Sequence, residues 1–447
     1  MRLSPPASLA ADFAALGVAD VECLFPDVSG YPRGKLMPAS VFAAGGELRI
    51  AQAIPMQCVT GDYSCDPIFP DQDPDVVLVP DYATVRQVPW ASVPRALAIH
   101  DCVELSGEPC RFAPRSLLKD VMARYERRGL RAVVAPEIEF YLTASSDDPA
   151  QPLRAPALRG GRAEVGQSAF SLNTLNEHAA FWDEFRAALE TLGVRADTWI
   201  HEVGLTQFEI NLLHDDPLVV ADQAFLFKYA AKEVALRHGM NAVFMAKPIA
   251  GQPGSSMHLH QSLVDAGGRN VFSNPDGGES ALFRQYIAGL QANLPSLMLL
   301  FAPFVNSYRR FVKQSQAPVN FHWGYDNRTA GLRIPRSGPA ARRVENRVAG
   351  ADANPYLVIA ATLAAGLDGI ERALPPTDPM DDSAYEQAHT LPRTLVAAIE
   401  SFVGDGVATR LFGERFVRAY ASTKEVEYES WLAEIGAWER RFLVPQA

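Results

Sequence analysis

The 447-residue chain has no apolar run long enough to cross a bilayer, which argues against a transmembrane helix. Its first residues, MRLSPPASLAADFAALG, lack the basic start and continuous apolar core of a secretory signal, so a cytoplasmic location is expected. Cysteine is scarce. The five present (Cys23, Cys58, Cys65, Cys102, Cys110) are odd in number and without metal-ligand spacing, which fits a reducing compartment better than a disulfide framework. Excess positive charge is missing too. A net charge of −11 speaks against non-specific nucleic-acid binding and favours small cations or polyphosphate–metal complexes as ligands. Internal repeats and low-complexity tracts are absent.

What is present reads as a soluble globular protein, 48% hydrophobic and 21% charged. The length exceeds one ordinary core and predicts two or more domains. Residues 1–105 read as a small domain of short strands separated by Gly, Pro and Asp turns. A helix is expected over Pro114–Arg128, then a strand, then a polar loop through residues 145–168. Further helices are expected over 175–192, 217–239 and 280–300, and in the apolar run NPYLVIAATLAAGLDGIERAL. Amphipathic helices and Pro-rich turns follow towards Ala447.

The strand ending in APEIEFYL (135–142) carries an oddity. Side chains two apart in a strand share a face, so Glu137 and Glu139 stand together while Ile138 and Phe140 point the other way. Two carboxylates on a half-buried face repel each other and resist desolvation. Three other segments repeat the pattern. Gln207, Glu209 and Asn211 share a face, with Glu202 just upstream. His258, His260 and Ser262 share another, and Arg343, Glu345 and Arg347 a third. Taken singly, each is a sheet with one wet face. Taken together, acids and histidines stand where Lys, Thr or Ser would solvate a face more cheaply. A polyvalent cation explains all of them, and oxygen ligands with few imidazoles and no thiolates suit Mg²⁺ or Mn²⁺ better than Zn²⁺.

The motif order ExE, ExxxxxQxE, GSxMHxHxSL, NRxxxxRIP, RRxExR and DxxxNPYL resembles the glutamine synthetase family, class I type, across essentially the whole chain. The resemblance implies an α+β fold: an N-terminal β-grasp domain over 1–108 and a catalytic domain over 109–447 with a curved antiparallel sheet and flanking helices. It also implies ATP and two or three Mg²⁺ or Mn²⁺ ions, and a ring-shaped homo-oligomer of two stacked hexamers with sites completed by the neighbour's N-terminal domain. Carried over motif by motif, Glu139, Glu202 and Glu209 hold the first metal, and Glu137, His258 and Glu345 the second. The implied reaction activates the side-chain carboxylate of glutamate as γ-glutamyl phosphate, which a nitrogen nucleophile then attacks. Arg328 and Arg333 match contacts to the transferring phosphate and the nucleotide, Arg343 a phosphate contact, and Arg347 one near the glutamate or acyl phosphate. Arg310 matches the partner of the amino-acid carboxylate, the Gly254 loop receives glutamate, and His260 and Ser262 lie on the nucleotide side. Guanidinium forks suit carboxylates and phosphates.

The chain departs from the ammonia-using pattern. Those enzymes carry a loop reading roughly PGYEAP, and here Gln316 in RFVKQSQAP falls at its Glu. A neutral amide cannot serve as the base or offer charge to ammonium. The FDGSS segment is missing near MQCVTGDYS, and Ala340 stands where a lysine is expected before Glu345. The C-terminal segment shows no adenylylation tyrosine. The nucleophile expected is therefore a polyamine, monoamine or ethanolamine-like amine, in the manner of the γ-glutamylpolyamine synthetase branch, with Asp62, Tyr63, Trp323 and Tyr325 lining its pocket. The alternatives are an ammonia-dependent glutamine synthetase and a catalytically inactive structural or regulatory homologue.

Overall fold

The DVSG turn shows how local chemistry starts the N-terminal sheet. Asp27 Oδ1 accepts the N–H groups of Ser29 and Tyr31 at 2.9 Å each, and Gly30 takes a φ of 77°, closing the hairpin between Asp20–Pro26 and Pro32–Pro38. The computed structural model describes residues 5–166 and 168–446. Strand Asp20–Pro26 also runs parallel to Arg95–Glu104, whose other edge pairs with Asp75–Pro80 and Arg86–Gln87. Leu48–Ala51 completes this six-stranded sheet. Helix Leu9–Leu16, which the sequence reading did not anticipate, lays Leu9 and Phe13 over Val21 and Phe42 in a small core of its own.

The second sheet positions the site. Its order is Trp323–Tyr325, Leu332–Ile334, Val344–Asn346, Met257–Asp265, Leu130–Ala144, Gln207–Leu212 and Ala196–His201, with Met240–Val243 on the far end of Leu130–Ala144. Among the described residues every neighbouring pair is antiparallel except Trp323–Tyr325 with Leu332–Ile334, which is parallel, so the expected all-antiparallel sheet is mixed at that edge. A short polar connection joins those strands, and Asp326 supplies the left-handed turn with φ 49°.

Ile138, Phe140 and Leu142 are fully buried and face helix Pro217–Arg237 through Phe227. Each such side chain contributes roughly 2 kcal/mol of burial. Helices Ala281–Asn293 and Pro355–Glu371 cross so closely that a Cβ on Gly289 would lie 2.3 Å from Ala365 O. Asn354 caps the latter helix through the N–H of Tyr356 and also donates to Asp27 O at 2.9 Å, tying NPYL to the DVSG turn. Arg115 binds Asp222, Asp101 and Asp81 and so links the N-terminal sheet to helix Pro217–Arg237.

Two expected helices are interrupted. The 280–300 helix ends at Asn293 and continues as a 3₁₀ turn, Leu294–Leu297, because Pro295 has no N–H to donate. The 175–192 helix is two pieces, Leu172–Glu177 and Ala179–Leu192, broken where His178 leaves helical geometry (φ −106°, ψ 24°). All five cysteines are free thiols, and no described helix is long and apolar enough to cross a membrane.

Candidate active site

Period two in Leu130–Ala144 places Glu137 and Glu139 on one face, and the register decides what they meet. Glu137 stands opposite His258 on one side and Asn211 on the other; Glu139 stands opposite Glu209. His260 is paired with Glu345, and Glu345 in turn with Arg333. Four strands thus deliver every acid and imidazole of the motifs except Glu202 to one concave face. Glu202 follows strand Ala196–His201 directly, in a tight turn where a Cβ on Gly204 would lie 2.1 Å from the Tyr141 hydroxyl. Thr206 adopts φ 53° in the same turn and donates its Oγ1 to Leu142 O at 2.6 Å. Glu164, from the polar loop, accepts the Thr206 N–H at 2.6 Å and faces His201 Nε2 at 3.2 Å, so that loop braces the Glu202 turn.

Ligand atoms of Glu137, Glu209 and His258 all lie within 4.8 Å of one another, as do those of Glu137, His260 and Glu345. This grouping differs from the one the resemblance implies, because Glu137 belongs to both sets and His260 joins the acids. His258 Nδ1 is 3.1 Å and His260 Nε2 2.8 Å from the two oxygens of Glu137. Glu139 accepts from Ser256 N at 2.8 Å and Ser256 Oγ at 2.7 Å. Ser256 was not singled out from sequence, although it sits in the GSSMHLH motif.

The electrostatics divide the acids. Burial raises Glu209, and Glu139, Glu137 and Glu202 raise it further, to about 9. Burial and then Glu202 push Glu139 up to about 7, against the Ser256 hydrogen bonds. Glu202 is raised as well, chiefly by burial. Glu137 goes the other way: burial opposes its charge, but hydrogen bonds from His258 and His260 hold it well below the usual range. Burial also keeps His258 a neutral imidazole, the form that ligates metals. Carboxylates that cannot ionise together without a cation, beside imidazole nitrogens and no thiolate, fit a hard divalent ion.

Guanidiniums form the other side. Glu345 is fully buried, and against its burial Arg347 and then His258 hold it down to about 2. Arg347 Nη1 and Arg333 Nη1 each donate to it at 2.6 Å. Arg343 Nε lies 3.2 Å from His260 Nδ1. Arg310 is buried behind them. Its Nη2 donates to the carbonyls of Arg347, Val348 and Ala349 at 3.3, 2.5 and 2.9 Å, while its Nε has no partner among the described residues. Burial lowers its pKa to about 10. Gly254 lets it approach, since a Cβ there would lie 2.6 Å from Arg310 Cγ; the Gly254 carbonyl accepts from Gln207 Nε2 at 2.9 Å. Arg328 is exposed, and Ser262 lies one step beyond His260 on the same face.

Gln316 adopts φ 60° and its carbonyl accepts from Arg347 Nη2 at 3.3 Å, so a single guanidinium separates it from Glu345. Within this chain the four residues expected to line an amine pocket have partners of their own. Trp323 is fully buried with its indole N–H on Thr377 O, and the Tyr325 hydroxyl is bonded to Glu279. Asp62 bonds Thr60, and the electrostatic neighbours of Tyr63 are Arg33 and Asp73. Their loop is fixed to helix Glu414–Leu432 by Val59 N donating to Glu427 at 3.1 Å. Tyr385, which carries no motif signal, stands instead beside Gln316, with its hydroxyl on Ala317 O at 3.1 Å.

The family model for the glutamine synthetase catalytic domain matches residues 111–443. Over 373 residues the chain is 38% identical to a glutamate–isopropylamine ligase of a Pseudomonas species, covering 82% of this chain and 80% of that one. It is 34% identical to the glutamine synthetase of Pyrococcus abyssi (93% and 92% covered) and 34% identical to the gamma-glutamylputrescine synthetase PuuA of Escherichia coli (91% and 88%). A solved structure described as a GmaS/ADP complex superposes with a TM-score of 0.83 at 30% identity, covering 98% of this chain and all of the other.

Proposed function

The chain belongs to the glutamine synthetase family, and on that premise we propose that it is an ATP-dependent ligase joining the γ-carboxylate of glutamate to an organic amine through γ-glutamyl phosphate. One observation carries this reading: Glu345 is shared between the imidazole–carboxylate cluster and the Arg333–Arg347 pair. That is the arrangement phosphoryl transfer to a carboxylate requires, with a site for cations abutting donors for the transferring oxygens.

A carboxylate resists direct attack because its leaving group would be oxide. Phosphorylation by ATP provides a better one, and the amine then displaces phosphate. Glu137, Glu139, Glu202, Glu209, His258 and Glu345 would hold two or more Mg²⁺ or Mn²⁺ ions, which supply charge neutralisation for the ATP phosphates. Arg347 and Arg333 present N–H donors to the transferring group, and exposed Arg328 is free to close on it. Arg343 fixes His260. Arg310, with Gly254 against its stem, keeps a buried Nε without a partner among the described residues, a donor available to a glutamate carboxylate.

Gln316 supports an amine over ammonia. Its side chain is an uncharged amide, so it supplies neither a base nor a countercharge for ammonium. The isopropylamine and putrescine ligases among the relatives agree, while the Pyrococcus relatives favour ammonia. ADP release measured with glutamate, ATP and Mg²⁺ decides between them. At equal concentrations an organic amine is expected to exceed ammonium in kcat/KM by about tenfold or more. Ammonium exceeding every amine overturns the reading. We further propose a homo-oligomeric ring, checked by solution mass.

A further inference from the structure

Alternation puts Gln207 on the face of the acids, yet no step of the proposed reaction uses it. The side chain is buried, and both ends of its amide are engaged. Its Oε1 accepts the N–H of Gly204 at 3.0 Å, inside the turn that follows Glu202. Its Nε2 donates to Gly254 O at 2.9 Å and, more weakly, to Glu139 Oε2 at 3.4 Å. Tyr141 is its register partner on the neighbouring strand and donates its hydroxyl to Pro253 O at 2.8 Å. One cross-strand pair thus holds two consecutive carbonyls of the loop that packs on the Arg310 stem. The turn reaches Gln207 only because residue 204 is glycine: a Cβ there would lie 2.5 Å from Gln207 Oε1.

We propose that Gln207 is a positioning residue: it holds the Gly254 loop, with Arg310 against it, in register with Glu139 and the Glu202 turn, so that glutamate is presented to the cation cluster. The inference rests on the ligase reading with glutamate as acyl substrate, and deepens it. Only an amide suits the place. The Gly204 N–H needs an acceptor and Gly254 O needs a donor, and a side chain without both leaves one of them unpaired. Methionine supplies neither. A carboxylate keeps the acceptor, loses the donor, and sets another acid beside Glu139.

Hydroxylamine, small and uncharged at neutral pH, serves as nucleophile whichever amine the site prefers. Its nitrogen displaces phosphate from the acyl carbon and gives up a proton to solvent. ADP release is followed with glutamate varied at saturating ATP, Mg²⁺ and hydroxylamine, then with ATP varied. Gln207→Met is expected to raise KM for glutamate about tenfold and Gln207→Glu about a hundredfold, with KM for ATP within about twofold of wild type. Tyr141→Phe, which removes only the bond to Pro253 O, is expected to raise KM for glutamate severalfold. An unchanged KM for glutamate in Gln207→Met overturns the inference and leaves the ligase reading intact. An equal rise in both KM values does the same, since it marks a merely structural residue. Where the Gln207 variants do not fold, Tyr141→Phe decides by the same two constants. A wild-type protein that releases no ADP with glutamate and hydroxylamine overturns the ligase reading and this inference together.

Discussion

The carboxylate half of the cavity and its guanidinium half differ in what satisfies their charges. Glu209 meets other carboxylates, and Glu139 is held by Ser256 beside Glu202; burial first and carboxylate repulsion next raise them to about 9 and about 7. Arg310 and Arg347 find acceptors within the chain, in the carbonyls of residues 347–349, in Gln316 and in Glu345. The guanidinium charges of one half meet acceptors as the chain folds it, with the Nε atoms of Arg310, Arg333 and Arg347 left over for a ligand; the carboxylates of the other half await a cation. Folding therefore cannot be what the acids are for. A protein selected for stability alone would replace Glu209 with an amide, whereas Glu345 is integral to the fold around it.

The sharpest way to break this contrast is a like-for-like amide in each half. Glu209→Gln is expected to lower ADP-forming activity by about 10³-fold, since a ligand to the ions at the phosphates is lost. The same change is expected to stabilise the metal-free protein by on the order of 2 kcal/mol, because a raised pKa marks a carboxylate the fold disfavours. Urea unfolding in EDTA reads this directly, and a lower midpoint for the variant would contradict it. Glu345→Gln is expected to do the opposite. It leaves Arg333 and Arg347 buried without their anion, which costs about 3 kcal/mol. A midpoint equal to wild type would show that the guanidinium half does not depend on Glu345.

The same contrast marks how far the sequence could be read. Alternation alone put Glu137 with Glu139, Gln207 with Glu209, and His258 with His260, since the strand period is local. That Glu137 would lie between His258 and Asn211, and so belong to both groupings of ligands, depends on register across three strands, which has no local signal. Arg310 was legible as an arginine in a motif, but its carbonyl partners were not, because backbone acceptors are invisible in a sequence. Trp323 and Tyr325 suit a pocket by residue type, but tertiary packing buries Trp323 and engages the hydroxyl of half-buried Tyr325 with Glu279. Tyr385 went unnoticed because no motif surrounds it. Pro295 is visible in the sequence, and its power to end a helix outweighs the apolar pattern running through it.

The smallest effect tests the unfinished half through protons. In the metal-free fold Glu209 keeps its proton up to about pH 9 and Glu139 up to about pH 7, while both lose it near 4.5 once unfolded. Between those values these two groups bind more protons in the folded state, so their contribution to the derivative of unfolding free energy with pH is negative, opposed below about pH 7 by histidines such as His100 and His258 that burial holds neutral. Their contribution is about 2 kcal/mol per pH unit between pH 6 and 8. A bound divalent ion needs the ionised carboxylates, so it must displace those protons, and its stabilisation grows over the same range. Melting curves at pH 6, 7 and 8, with EDTA and with excess Mn²⁺, should therefore diverge with increasing pH. Parallel curves would mean that these carboxylates are ionised without the metal, and the division between the two halves of the cavity would not hold.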